Sequence, residues 1–320
     1  MTLLGHDEAW HAWREAMTST RMHHAWILAG LEGLGKGSFA RAAAAELVRE
    51  PGVPHPPADR HPDILIPEHP PENKEEAKKR EDGQPYRTKR SIPIDEIRAL
   101  QHRLTTRPTL GSRRAVIIDP ADDLEKSAVN ALLKSLEEPP VGTFFLLIAH
   151  RPGRLLPTIR SRCRTLRFQP LPPPEVEQVL RRAAPQADAQ TIAAAVAAAE
   201  GSPGAALDFV EQELGKLHAL MRRIMAEGDE SFALRGALAE EIGARPDRAR
   251  QAAVCDLARA VIAAELTTAQ RAQQARVIAA HGEIVKLGGQ LPTYNFDPAL
   301  VAMEIGGLLA SLAMPREAVP

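Results

Sequence analysis

Short apolar runs closed by turn residues alternate with segments of helical spacing over the first half of the chain, and helical spacing fills the second half. Trp26 to Ala29 stops at Gly30 and Ala115 to Ile118 stops at Asp119; each reads as a buried strand, as does Thr143 to Ala149, which loop residues flank. The Ala-rich stretch Ser38 to Arg49 predicts a helix. Ile94, Ile97, Leu100 and Leu104 recur at helical spacing behind the acidic first turn Asp95-Glu96. Ala128 to Glu138 predicts a helix stopped by Pro139-Pro140. This order of strands and helices predicts a parallel sheet with crossover helices. Residues 51–90 are polar, with one strand-like piece at Ile64-Leu65-Ile66, and read as a surface insertion, partly disordered.

Pro170 to Pro174 interrupts the pattern and reads as a stiff linker. Beyond it, a small helical unit is expected to about Val210. A larger helical unit follows, with Leu214, Leu217, Met221 and Ile224 on one face. The last helix should open with Asp297 as cap and Pro298 at its first position, with Val301, Ile305, Leu308 and Leu312 as its stripe.

At 320 residues, the chain is expected to hold two or three domains. Apolar residues make up 44% and charged residues 25%, the composition of a globular protein. The formal net charge of -1 excludes a global basic field, so any contact with nucleic acid needs a local patch. The 2 cysteines, Cys163 and Cys255, make neither a disulfide framework nor a four-ligand zinc site, and their scarcity fits a reducing cytoplasm. Cys163 is expected to be a packed residue rather than a nucleophile. His6, Asp7 and Glu8 near the start argue against a secretory leader, and no run of about 18 apolar residues suggests a membrane span.

The strongest local signal is Gly30-Leu31-Glu32-Gly33-Leu34-Gly35-Lys36-Gly37, a phosphate-binding loop with its final hydroxyl residue replaced by Gly37. Gly30, Gly33 and Gly35 let backbone N–H groups turn inward around phosphate, and Lys36 supplies a point charge. In a working loop the next hydroxyl holds Mg²⁺; Ser38 comes one position late and would point about 100° away. Asp119 sits where a metal-side carboxylate belongs, although taken alone it equally reads as a strand ending in an acidic turn. The next residue, where a hydrolysing enzyme would carry a water-activating Glu, is Pro120. Arg162 stands in Arg160-Ser161-Arg162-Cys163-Arg164. An arginine near the end of such a domain can reach phosphate bound on a neighbouring subunit; alone, it equally reads as a solvated basic turn.

Three longer motifs give these residues a context. Asn130 to Pro140 reads NALLKSLEEPP, Leu156 to Cys163 reads LPTIRSRC, and Gly201 to Gly204 reads GSPG. In these the chain resembles the AAA+ clamp-loader subunits of bacterial DNA polymerase III, closely to about Val210 and only in general character beyond. The resemblance implies an α/β AAA+ P-loop domain at 1–169, a parallel sheet with helices on both faces. It also implies a small helical lid at 170–210 and an all-helical collar at 211–320 that joins the other subunits. Arg162 then matches an arginine finger acting in trans, and Lys36 and Asp119 match the phosphate lysine and the metal-side aspartate. Gly37 and Pro120 depart from the motor pattern. So do Ala205, where motors often carry a sensor arginine, and His150, near the first sensor. Four departures point to a member that does not hydrolyse ATP.

The implied setting is the cytoplasm. The implied partners are the motor (gamma/tau) and delta subunits, the sliding clamp, and primed DNA reached through the complex. No cofactor is required; ATP with Mg²⁺ would bind this degenerate loop weakly at most. The four-cysteine zinc insertion of many relatives is missing, since residues 51–90 hold no cysteine, and His55, His61 and His69 are weak ligand candidates. Arg103, Arg107, Arg113 and Arg114 are candidate contacts to DNA phosphate, or a solvated helix and turn. Rival readings are a self-sufficient ATPase motor, a nucleoside-phosphate kinase on the same loop, and a nucleotide-free scaffold in which Arg162 is inert.

Overall fold

The computed structural model describes residues 4–19, 21–266, 269–291, 294 and 296–313. The chain divides into two compact units, Met1–Gln169 and Pro170–Pro320. In the first unit the order is α1 (Asp7–Thr18), β1 (Ala25–Ala29), α2 (Lys36–Leu47), β2 (Ile64–Leu65), α3 (Lys74–Glu81), α4 (Ile94–Leu104), β3 (Arg114–Ile118), α5 (Lys126–Glu137), β4 (Thr143–Ala149), α6 (Pro157–Arg160) and β5 (Arg164–Arg167). The five strands form one sheet in the order β2-β3-β4-β1-β5, every neighbouring pair parallel.

Alternation along the strands divides the core into two layers. Ile27, Val116, Ile118, Phe145 and Leu147 face a cluster with Ile97, Leu100 and Leu104 of α4 and Leu132 and Leu136 of α5. Trp26, Leu28, Ala115, Ile117, Leu146 and Ile148 face a cluster with Trp13 of α1 and Phe39, Ala43 and Leu47 of α2. Burial on both faces is why these strands are written as unbroken apolar runs. Trp13 and Trp26 meet edge to face, with ring centroids 5.6 Å apart.

Of the two edge strands, β2 falls within the expected piece Ile64-Leu65-Ile66, whereas β5 was not expected. β2 is two residues long, and β5 buries only Leu166 between the exposed Arg164, Thr165 and Arg167. Residues 51–90 are more ordered than their composition suggests. They supply β2 and α3, and Asn73 caps α3 by accepting from the Glu76 backbone N–H. The buried carboxylate of Glu76 takes the Arg87 N–H at 2.6 Å and the Lys79 amine at 2.7 Å, tying the helix to the segment that follows.

Arg114 corrects an expectation. It is 4% exposed and cannot present itself to DNA. Its Nη1 donates to the carbonyls of Arg103 and Thr106, and its Nη2 to that of Arg107, so it closes the C-terminal end of α4. Asp63, also buried, lies 3.7 Å from it and accepts from the backbone N–H groups of Thr109 and Leu110. Arg103 and Arg107 are exposed, and Arg113 lies over the Phe144 ring at 6.0 Å.

The second unit holds α7 (Pro173–Ala183), α8 (Ala189–Ala198), α9 (Pro203–Glu211), α10 (Gly215–Glu227), α11 (Ala233–Ile242), α12 (Arg248–Glu265), α13 (Arg271–Gln290) and α14 (Pro298–Ala310). The proline run is not linker throughout: Pro173 and Pro174 open α7, where the missing N–H groups cost nothing. One apolar cluster runs from Leu171 through Leu217, Met221 and Ile224 to Leu309, so the packing sets no boundary at 210/211. Asp297 caps α14 and accepts from the N–H groups of Ala299 and Leu300. The buried stripe of α14 is Ala302, Ile305, Gly306 and Leu309, one residue off the expected line apart from Ile305. Gly306 explains the offset: a Cβ there would stand 2.3 Å from Arg235 Cγ.

Replacing Arg114 with Ala should cost about 3 kcal/mol in urea unfolding, because it leaves Asp63 charged and buried without its cation. Wild-type stability together with weakened DNA binding would instead return Arg114 to the surface role.

Candidate functional site

The loop lies at the carboxyl edge of the sheet, between β1 and α2, beside the ends of β3 and β4. Gly30 leaves β1 with its N–H on the Ala149 carbonyl at 3.2 Å, and its missing Cβ makes room for the Phe168 carbonyl, which would lie at 2.6 Å. Gly33 and Gly35 have φ of 77° and 80°, values that glycine adopts without strain. Leu34 is buried and pins the loop from below, while its carbonyl meets the His6 ring at 2.8 Å.

Lys36 is 2% exposed and turns back on its own loop, donating to the carbonyls of Gly30 at 2.7 Å and Leu31 at 2.5 Å. Burial lowers its pKa to about 8, against the pull of Glu32, Asp119 and Asp122. Ser38 is exposed, as its place on the helix predicts.

Gly37 and Asp119 still face each other. A Cβ on residue 37 would lie 2.9 Å from Asp119 Oδ2 and 3.0 Å from Arg41 Nη1. Arg41, one helical turn further along α2, is the residue that the sequence reading missed. Its Nη1 donates to Asp119 Oδ2 at 3.4 Å and its Nε to Asp59 Oδ1 at 3.0 Å. Its position at i+4 from Gly37 was the available signal. These residues do not fit a magnesium ion. The hydroxyl ligand is missing, and the carboxylate is already answered by a guanidinium whose charge opposes a second cation.

The remaining acids have structural partners. Asp122 accepts from the backbone N–H groups of His150 at 2.6 Å and Arg151 at 3.1 Å, so it anchors the turn after β4. Asp123 pairs with His69 at 3.2 Å. Pro120 follows Asp119 with no polar hydrogen to offer. Burial, and after it the charge of Lys36, push the His150 pKa below the ordinary imidazole value, and its Nδ1 meets no partner among the described residues. His55 and His61 bond to each other at 2.8 Å, and among the described residues no cluster of His, Cys, Asp or Glu is placed to hold a metal.

Arg162 lies apart from this group, in the turn between α6 and β5. Its Nη1 donates to the Thr158 carbonyl at 2.9 Å, and its Nη2 stands 2.6 Å from Glu137 Oε1 at the end of α5. The side chain is 35% exposed, and none of these contacts is with the loop. Burial pushes the neighbouring Cys163 thiol up to about 12, which fits a packed residue and not a nucleophile. Ala205 belongs to the second unit, in the first turn of α9, where its N–H is capped by Ser202 Oγ.

The fold and the loop define an AAA+ type α/β P-loop protein joined to a helical unit. A profile of the family described as "DNA polymerase III, delta subunit" matches residues 5–172, and the chain belongs to that family. It is 34% identical over 210 residues to DNA polymerase III subunit delta' of Pseudomonas aeruginosa, covering 60% of this chain and 59% of that protein. It is 33% identical over 201 residues to subunit delta' of Escherichia coli, covering 58% and 54%. The chain thus spans little more than half the length of these relatives. Among solved structures, a DNA polymerase III gamma subunit-related protein from Thermotoga maritima superposes with a TM-score of 0.52 at 19% identity, over 95% of this chain and 99% of that one, a likeness of fold. Among the described residues no helix is long and apolar enough to cross a membrane.

Two outcomes follow. Gly37→Ser should disturb the Arg41–Asp119 pair without giving Mg²⁺-dependent ATP hydrolysis by the isolated chain, because Pro120 still stands where a base is needed; turnover above the wild-type blank would contradict this. The second concerns Lys36. From about pH 8 to the ordinary lysine value of 10.5 the folded chain holds fewer protons here than the unfolded chain, so the burial cost of Lys36 fades as pH rises. The stability of wild type relative to Lys36→Met should therefore increase across that window, and a flat or falling difference would refute the lowered pKa.

Proposed function

We propose that this chain serves as a delta-prime-type subunit of a DNA polymerase III clamp loader, a subunit that does not hydrolyse ATP and acts on a neighbour's. The observation that carries the reading is the double loss at one site: Gly37 and Pro120 remove the metal hydroxyl and the base, while Arg41 answers Asp119. Each loss alone should cost orders of magnitude in phosphoryl transfer. Family membership supplies the setting.

In this reading Arg162 is offered to ATP held by the adjacent motor (gamma/tau) subunit, where its planar fork stabilises charge developing on the transferred phosphoryl group. Partial exposure and placement on a turn leave it able to extend. The helices of the second unit serve as lid and collar, joining this chain to the motor and delta subunits in the cytoplasm. The assembly opens the sliding clamp and closes it on primed DNA. A nucleotide-free scaffold is the alternative that the Arg162–Glu137 pair favours, since a guanidinium satisfied within its own chain needs no phosphate.

The test is DNA-stimulated ATP turnover by motor subunits assembled with wild type or Arg162→Ala. The expected loss is at least about tenfold, or about 1.4 kcal/mol of barrier, with assembly intact. Unchanged turnover in an intact assembly would leave the scaffold reading.

A further inference from the structure

Glu137 is the last residue of α5, and a second carboxylate, Glu138, follows it. A negative charge at the C-terminal end of a helix is unfavourable, because the backbone carbonyls there already carry partial negative charge. At this end one cation answers it across the fold: Arg162 Nη2 lies 2.6 Å from Glu137 Oε1. The same guanidinium is tethered on Nη1 to the Thr158 carbonyl of α6. Arg162 is therefore not a free arm. It is drawn back against its own domain by a carboxylate and a carbonyl.

The pair is weak enough to open. Glu137 is 50% exposed and Arg162 35%, and ion pairs with that much solvent contribute only about 0.2–1 kcal/mol. A bound nucleoside triphosphate on a neighbour carries several negative charges and would compete well for the guanidinium. The surroundings favour that exchange. From Pro139 to Pro174 there is no acidic residue, while Arg151, Arg154, Arg160, Arg164 and Arg167 are all exposed. Once the guanidinium leaves Glu137, no carboxylate of this segment competes for it.

We propose that Glu137 is a positioning residue that holds Arg162 in a retracted state and so sets the cost of presenting it to phosphate bound on another subunit. The inference rests on the reading of Arg162 as an arginine acting in trans. It adds a two-state element: retracted on Glu137, or extended to the neighbour. The retracted population lowers the apparent effectiveness of the arginine by the fraction of time it is unavailable. A pair of the strength just given corresponds to a factor of up to about five.

The experiment compares ATP turnover in the reconstituted assembly for wild type, Glu137→Gln, Glu138→Gln, Arg162→Ala and the double variant Glu137→Gln/Arg162→Ala. Glu137→Gln should raise kcat/KM about two- to fivefold, with Glu137→Ala as a second variant showing the same gain. Glu138→Gln removes the same charge one residue away and should leave kcat/KM unchanged. In the Arg162→Ala background the Glu137 substitution should have no effect, a coupling that a merely structural carboxylate would not show. Thermal melting and assembly of each variant are followed alongside. A fall in kcat/KM on Glu137→Gln would mean that the carboxylate orients the arginine for action, and would overturn the proposal. No change on Glu137→Gln, with Arg162→Ala still defective, would also overturn it while the trans-acting arginine survives. If Arg162→Ala is itself silent in an intact assembly, the functional reading fails and the holding role falls with it.

Discussion

Strands β1, β3 and β4 are sealed on both faces by helices, and that constraint decides where polar chemistry can be placed. Nothing charged can stand along the middle of these strands without a partner. The titratable groups therefore gather where the strands end, at one edge of the sheet: Lys36 after β1, Asp119 after β3 and His150 after β4. The loop, the acidic turn and the turn after β4 are neighbours because β4 lies between β1 and β3. Backbone groups released by the strands are taken up there, Gly30 N–H by Ala149 and the N–H groups of His150 and Arg151 by Asp122.

What this edge does not do is as informative as its geometry. Lys36 is spent on the carbonyls of its own loop, and Asp119 on Arg41, which also holds Asp59. The site balances its charges from within the chain, where a hydrolysing relative of the same fold would use a metal ion and the phosphates of its substrate. Arg162 follows another logic. It sits on the turn before the outer strand β5, partly exposed and held by one weak ion pair, the Thr158 carbonyl and the Ser161 hydroxyl. The proposed role needs these two things separately: a pocket whose lysine and aspartate are answered within the chain, and, apart from it, an arginine with part of its side chain in solvent.

Much of this was legible in the sequence for physical reasons. The central strands are continuous apolar runs because both faces are buried, and α4 and α5 are amphipathic because one face is wet. The glycines of the loop and the Gly37 and Pro120 departures could be read as letters. The missed features depend on distance in space. β5 buries one side chain in four, too few to set a period, whereas β2, only two residues long, lies within the apolar piece Ile64-Leu65-Ile66. Arg114 looked like its exposed neighbours because a buried arginine bonded to three carbonyls carries no local mark. Arg41 pairs with an aspartate 78 residues away, and Glu137 with an arginine 25 positions on, contacts that only the folded chain brings together. Residues 51–90 looked loose because their order comes from polar anchors such as Asp63 and Glu76 rather than from an apolar stripe.

The most direct test of the account is ATP turnover measured with Mg²⁺ for the isolated chain, for the isolated motor subunits, and for the two mixed with DNA and the remaining subunits. The account predicts a silent chain and a mixture faster than the sum of its parts. Steady turnover by the isolated chain, lost on Lys36→Ala, would contradict it, because the pocket described here would then be a working ATPase.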